Sequence, residues 1–441
     1  MRLLTGLVLL QLAPAVLAET AAEDAFRSAR AWTVQVRTSV SQPFAEDEQG
    51  SFEGAGLVVD AARGWVLTNA HVASHSYAQM SLAFEDGRAL PAQRIYVDPF
   101  LDLAIIAYDP KLLARRPLEP ALECSTIPAV GHPVGAFGHP WGFRFTGTRG
   151  IASAVTSRLG PEMLQTDAPI NEGNSGGPLI SLETGRVVGV NASTMKKGEA
   201  EGLSFAVPIP YACTILRLLQ DGRDPSPPAN LVDFAVDADD EQTMLVARSR
   251  LPADSLDLRA GDRLLGADRA GAGLRSQTEL VDALRGHLDD VSLTVRRDGA
   301  VTTITGHWPA AARVTERQGL WISGALFADA DPFTGGLVAG APVLMVHHVE
   351  AGSAAEAAGL QPDDLLTTAA GKKVASLAAL EAAAHRAAAA RQPLELMFIR
   401  LTSQEQSALF GFHYRFLDAA DMRWVGPAPE ARCTKGTKSR C

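Results

Sequence analysis

Residues Asn171 to Ile180 read NEGNSGGPLI, with one glycine two places before Ser175 and two directly after it. Such a cluster has two readings. A glycine turn can simply connect two strands. It can also present a serine hydroxyl while aiming backbone N–H groups at a developing negative charge. The surrounding chain decides between them. From about Trp32 to Pro208, short β-rich runs such as WTVQVRT, GAGLVVD, GWVLTNAHV, LDLAIIAY, RGIASAVTS and RVVGVNAS alternate with turn residues, and no long helical periodicity interrupts them. Many short strands of this kind predict a sandwich or closed barrels.

A serine hydroxyl needs a base to remove its proton, and the base works best when a carboxylate fixes its tautomer. His71 ends the run WVLTNAHV and Asp102 leads the strand in PFLDLAIIAY. Alone, the first reads as a turn histidine and the second as an ordinary acid before a strand. Asp98, four residues earlier, is the nearest rival for a catalytic carboxylate. Together, TNAHV, DLAII and GNSGGPL occur in the order His–Asp–Ser within one β-rich region. That order belongs to chymotrypsin-like double barrels and differs from those of subtilisins and α/β-hydrolases.

At this point the chain resembles the HtrA/Deg family of trypsin-like serine proteases with C-terminal PDZ domains. The resemblance rests on GAGLVVD, GHPWG, QTDAPINEGNSGGPL and LSFAVP, and is strongest from Gly54 to Pro208. It implies Ser175 as nucleophile, His71 as general base and acid, and Asp102 as the orienting carboxylate. The N–H groups of Gly173 and Ser175 would form the oxyanion hole, with Asn174 setting the turn between them. Digestive proteases of this fold carry an aspartate before the nucleophile to pair with a newly cut N-terminus. Asn174 cannot form that ion pair, so ordering of loops, not propeptide cleavage, is the expected route to activity. Pro169 and Ile170 are expected at the base of an uncharged specificity pocket. Leu203, Ser204 and Phe205 are expected along its wall, where substrate pairs as an added strand. Core packing is the alternative for Leu203 and Phe205. An uncharged pocket favours cleavage after small aliphatic residues such as Val or Ala. The segment SRLGPEMLQ leaves little room for a long sensor loop, which puts the family's route from first PDZ module to active site in question.

The implied fold class is mainly β: a double-barrel protease domain followed by two small α+β PDZ-like domains. At 441 residues the chain is long enough for several domains. A Pro-rich linker, RDPSPPAN at 223–230, follows a protease domain over 19–222 whose last segment, YACTILRLLQDG, reads as a helix. Beyond it the chain nearly repeats itself, as LDLRAGDRLLGADRAG and then AAGLQPDDLLTTAAGKKV. Setting Leu258 against Leu360 aligns Asp262 with Asp364. Each copy is followed by a helix-like run and a strand, which divides the region into modules over 231–308 and 309–402, with an extension over 403–441. PDZ domains add a peptide strand to a sheet edge and capture its C-terminal carboxylate in a backbone loop. Gly319, Leu320, Trp321 and Ile322 lie where that loop and strand belong in the second module. The matching stretch of the first, PPANLVDFAVD, has no glycine, so peptide binding and a spacer role stay open there. The tail FGFHYRFLDAADMRWVGP is read as an added strand or a cap.

A formal charge of −10 without a basic cluster argues against a nucleic-acid partner. MRLLTGLVLLQLAPAVLAET reads as a cleaved signal peptide over 1–18, too short an apolar run for the roughly 20 residues of a membrane span. Export to the periplasm or beyond makes the four cysteines candidates for disulfides. Cys433 and Cys441 could close a small ring; whether Cys124 meets Cys213 is open. Adjacent His347 and His348 point to opposite faces of a strand and do not suit a shared metal. No cofactor or metal is expected. The expected partners are unfolded or misfolded protein substrates and C-terminal peptides, with a homotrimer implied by the resemblance alone. A protease-shaped chaperone or scaffold, or a protease cutting one specific partner, are the competing functions.

Overall fold

Alternating apolar residues bounded by turns form two closed six-stranded barrels in the computed structural model, which describes residues 21–142, 145–156, 159–192, 203–237, 243–268, 273–330, 343–404 and 407–427. The candidate signal peptide and Cys433 and Cys441 lie outside the described residues. Among the described residues no helix is long and apolar enough to cross a membrane.

The first barrel contains β1 (Thr33–Val40), β2 (Gly50–Asp60), β3 (Trp65–Asn69), β4 (Ala78–Ala83), β5 (Ala89–Asp98) and β6 (Leu103–Ala107), closed in the order 1-2-3-6-5-4. The second contains β7 (Pro133–Gly138), β8 (Thr146–Val155), β9 (Leu164–Thr166), β10 (Pro178–Ser181), β11 (Val187–Ala192) and β12 (Ser204–Pro208), in the order 10-11-12-9-8-7. Closure pairs each strand on both sides and removes sheet edges. Every residue of β6, LAIIA, is buried, so the chain just before it is fixed against a rigid wall. A disulfide joins Cys124, on the connection between the barrels, to Cys213 on helix Ile209–Gln220.

Two further sheets follow. The first module has β13 (Val232–Val236), β14 (Met244–Ser249), β15 (Arg263–Ala267), β16 (Val291–Arg297) and β17 (Ala300–Gly306), paired in sequence order, with helix Gln277–Leu284 between β15 and β16. The second module has β18 (Gly319–Ile322), β19 (Ala325–Asp329), β20 (Leu344–Val349), β21 (Leu365–Ala369), β22 (Lys372–Lys373), β23 (Leu394–Gln404), β24 (Ser407–Leu417) and β25 (Met422–Val425). Its order is 24-23-21-20-19-18-25, with β22 beside β21 and helix Leu377–Ala390 packed on the sheet. Ser276 and Ser376 cap the two helices, each hydroxyl accepting the N–H three residues on.

The internal repeat is visible in chemistry. Asp262 binds the Arg297 guanidinium and accepts the Arg259 N–H; Asp364 binds Arg400 and accepts the Gln361 N–H. Both modules rest on the barrels. Helix Gln277–Leu284 meets the loop before β9, where Thr278 Oγ1 accepts the Glu162 N–H at 2.7 Å and Gln277 accepts the Gly160 N–H at 2.8 Å. In the second module, His347 Nδ1 accepts the Ala45 N–H at 3.1 Å while its other ring nitrogen faces the Asp329 carbonyl. Phe44, Tyr77, Trp321, Leu326, Ala328 and Val425 form one small apolar cluster across that contact.

Candidate active site

The strand β3 ends in Asn69, and a helical turn, Ala70–Ala73, carries His71 out of the barrel. Asp102, immediately before β6, has φ +54, a left-handed conformation that aspartate tolerates better than most residues. Its carbonyl accepts the Ala70 N–H at 3.0 Å and the Asn69 side-chain amide at 2.9 Å. Its carboxylate accepts the His71 N–H at 2.9 Å through Oδ1, and Oδ2 lies 2.7 Å from His71 Nδ1. A carboxylate only accepts, so Nδ1 carries the proton and Nε2 is left as the basic nitrogen.

Ser175 sits on the connection into β10 and is 5% exposed. Its carbonyl accepts the Ala55 N–H from β2 at 2.7 Å, tying the second barrel's turn to the first barrel. A Cβ added to Gly54 would lie 3.0 Å from that carbonyl and 2.6 Å from Val72, the residue after His71. One added to Gly176 would lie 3.2 Å from the Asn69 N, two residues before His71. The serine is thereby held in the seam beside the His71 segment. Its hydroxyl makes no hydrogen bond among the described residues; nucleophile–base contacts of this kind tighten as substrate arrives.

The glycine before it has a defined role in the turn. Asn174 donates its N–H to the Asn171 carbonyl at 2.9 Å, and Gly173 between them has φ +96. That combination is the mark of a type II turn, which needs positive φ at its third position and orients the preceding peptide opposite to a type I turn. The Gly173 and Ser175 N–H groups have no acceptor among the described residues, so two neighbouring donors remain available. Asn174 is fully buried and neither of its amide atoms is hydrogen-bonded.

Of the expected pocket residues, Ile170 and Ser204 meet: the Ile170 N–H donates to Ser204 Oγ at 3.2 Å. The Pro169 carbonyl accepts from Thr148 Oγ1 at 2.8 Å. Leu203 is 38% exposed and outside the barrel ladder. Phe205 pairs with Gln165 on one side and Ala192 on the other, so barrel closure leaves it no edge for substrate. The backbone available for strand addition is that of Leu203 and the outer side of Ser204.

The open edge expected at Gly319–Ile322 is corrected by the structure. All four residues are buried, and the chain's own β25 pairs with them along the side away from β19. In the first module the corresponding edge strand, β13, pairs only with β14 among the described residues.

The supporting roles of Asp98 and Asp47 are not legible in the sequence. Asp98, flagged there as a rival carboxylate, is fully buried against Arg285 of the first module, and its Oδ1 accepts the N–H groups of Phe100 and Leu101 on the way to Asp102. Nothing in the run LVDALRGH marks Arg285 as special. Asp47 holds the segment just after His71, accepting from Ser74 Oγ and the Ser76 N–H, both at 2.6 Å. Burial pushes its carboxyl up, but hydrogen bonds from His75, Ser74 and Ser76 outweigh this and bring it down to about 2.

Known proteins resemble this chain over the barrels that carry the candidate site. A trypsin-like peptidase domain covers residues 54–190. The chain is 30% identical over 293 residues to the serine protease Do-like HtrA of Lactococcus lactis, covering 58% of this chain and 70% of the relative. This chain belongs to the HtrA family of serine proteases. It is also 32% identical over 278 residues to a probable periplasmic serine endoprotease, DegP-like, of Halomonas elongata, covering 58% of this chain and 56% of that protein. The HtrA-type protease AlgW, solved with a tripeptide, superimposes with a TM-score of 0.52 at 25% identity, over 65% of this chain and 96% of that one. This HtrA-family chain spans about half the length of the first curated relatives it matches.

Proposed function

We propose that the chain is an exported serine endopeptidase that hydrolyses peptide bonds of unfolded or misfolded envelope proteins without ATP or metal. The observation that carries this reading is the His71 ring held 2.7 Å from the Asp102 carboxylate beside a type II turn with two available donors. In this mechanism Ser175 Oγ attacks the scissile carbonyl carbon as His71 Nε2 takes its proton. Asp102 stabilises the imidazolium, and the carbonyl oxygen, now an anion, receives the Gly173 and Ser175 N–H groups. His71 then gives the proton to the leaving amine as the C–N bond breaks, and water repeats the sequence to free the acyl group.

The Pro169–Ile170 and Leu203–Ser204 segments supply an uncharged pocket that favours small aliphatic residues such as Val or Ala. Export is supported by the N-terminal sequence and by relatives named as periplasmic. The second module is a PDZ-like peptide binder in this reading and the first a peptide binder or a spacer, with a homotrimer as the family-based assembly.

Digestion of β-casein by the mature protein beside its Ser175→Ala variant, with cleavage sites mapped by mass spectrometry, tests the reading. Cutting by the wild type alone, mainly after Val or Ala, is expected. Equal cutting by both proteins would remove Ser175 from the mechanism, and cutting after Lys or Arg would overturn the pocket.

A further inference from the structure

The strand β25 lies on β18 in an antiparallel register, Gly319 opposite Val425, Leu320 opposite Trp424, Trp321 opposite Arg423 and Ile322 opposite Met422. Its direction places the C-terminal end of the added strand at Gly319, the start of β18. An incoming peptide whose carboxylate is captured there would run the same way. The side chains also behave as those of a docked ligand. Met422 and Trp424 pack on the second module's core, and the Trp424 indole N–H donates to Glu381 of helix Leu377–Ala390 at 2.8 Å. On the other face Arg423 lies 4.7 Å over the Trp321 ring, and Val425 joins Phe44 of the first barrel.

A true C-terminal peptide would end at this place. Here the chain leaves through Gly426, at φ +105, where a Cβ would fall 2.7 Å from the Arg317 carbonyl and 2.8 Å from the Tyr77 ring. Only glycine passes that gap, and the Pro427 carbonyl then accepts from Gln318. The strand is four residues long and two of them are only half-buried, so little surface holds it against exchange.

We propose that β25 is a built-in strand ligand of the second module, which a C-terminal peptide of like chemistry, with apolar residues at alternate positions and an aliphatic last residue, must displace in order to bind. The proposal rests on reading that module as a peptide binder. Displacement withdraws Val425 from Phe44, whose loop also carries Asp47 and so the Ser74–Ser76 segment beyond His71. The plug thus links peptide occupancy to the candidate active site.

The test uses the full mature chain carrying Ser175→Ala, with a fluorescein-labelled DAADMRWV peptide bearing a free carboxylate as probe. Anisotropy titrations compare this protein with one also carrying Met422→Asp and Trp424→Asp. Because apparent affinity scales with the fraction of open edge, at least tenfold tighter binding is expected in the unplugged variant. Amide exchange at Trp321, whose N–H shares the side on which the Ser323 N–H donates to Asp421, should be slow in the parent and fast in the variant. Should the double variant fail to fold, Gly426→Val provides the same comparison. Binding of equal strength in parent and variant, or fast exchange at this edge in the parent, overturns the plug and leaves the peptide site standing. No binding to a variant whose edge exchanges freely overturns both the plug and the peptide-binding reading.

Discussion

Arg285 Nη1 lies 2.6 Å from Asp98 Oδ2, with both side chains fully buried where the first module meets the first barrel. The pair does more than join two bodies. Tyr96 donates its hydroxyl to Asp98 Oδ2 at 2.7 Å, and Asp98 Oδ1 accepts the Phe100 and Leu101 N–H groups at 3.0 and 2.7 Å. The turn that delivers Asp102 to His71 is thus capped by a carboxylate whose counter-charge comes from another module. Burial lowers the Arg285 pKa, but the Asp98 carboxylate and its neighbours outweigh this and hold it above the ordinary value.

Removing one partner of such a pair strands a charge in a dry site. Arg285→Ala is expected to cost about 3–5 kcal/mol of stability, read as a lower denaturant midpoint, and to slow casein hydrolysis through a loosened Asp102 turn. The buried Arg285 Nε and Nη2 atoms lack hydrogen-bond partners, so part of the pair's desolvation goes uncompensated. Combining Asp98→Asn with Arg285→Met should therefore cost less than Arg285→Ala alone. An additive double variant would contradict this account.

Asp282, on the same helix, faces the opposite consequence of burial. Its Oδ2 accepts from Thr214 Oγ1 at 3.1 Å, while Oδ1 is buried without a partner. Burial raises its pKa to about 6 against the pull of Arg285 and Arg217, and the Asp98 charge adds to the rise. The folded value exceeds the unfolded one of about 4, so this group's contribution to stability is complete below pH 4 and is lost as pH rises through 6. Asp282→Asn should flatten that part of the profile and raise the melting temperature at pH 7. Melts at pH 4.5 and pH 7 of both proteins decide it, and an unchanged pH slope in the variant would exclude Asp282 as its source.

Asp47 carries the opposite sign. Its folded pKa of about 2 lies below the ordinary value, so its contribution is present above pH 4 and disappears as pH falls through 2. Asp47→Ala leaves Ser74 Oγ and the buried Ser76 N–H without this acceptor. Ser74 Oγ keeps the Ser76 carbonyl and the Ser76 N–H keeps Ser74 Oγ, so the loss is that of hydrogen bonds to a charged acceptor, about 1.5–3 kcal/mol, which should appear in denaturation at pH 7 and shrink below pH 3. Activity should fall with it, since Ser74 follows the His71 turn directly.

The candidate site was legible because its signals are local. Gly173, Ser175 and Gly176 sit within four residues, and His71 and Asp102 each abut a strongly apolar strand. The module repeat was legible for a related reason: Asp262 and Asp364 precede strands of similar pattern and make the same arginine pair. What stayed hidden depends on contacts between distant segments. Arg285 and Asp98 are nearly two hundred residues apart, and each looks like a surface charge in its own context. The tail FGFHYRFLDAADMRWVGP reads as an added strand or a cap, and strand patterning does not say which edge it joins. Its choice of β18 turns an expected open groove into a filled one. The pairing of Phe205 on both sides stayed hidden for a simpler reason: it follows from barrel closure, and closure is not written in a five-residue window.

The Cys124–Cys213 disulfide closes a loop with a sequence separation of 89 residues, large enough for cross-linking to restrict the unfolded chain appreciably. Reduction is expected to cost about 2–4 kcal/mol. Helix Ile209–Gln220, which carries Cys213, begins where β12 ends, and Thr214 on it holds Asp282 of the first module. Loss of the bond should therefore loosen both the Ser204 side of the pocket and the docking of helix Gln277–Leu284. Cys124 is exposed and Cys213 half-buried, so mild reductant should reach the bond without prior unfolding. The Cys124→Ser, Cys213→Ser double variant and the reduced wild type should then share one lowered melting temperature and one reduced rate on casein. A variant that melts with the oxidised wild type would mean that the packing of this helix against the second barrel, and not the covalent bond, holds the pocket side in place.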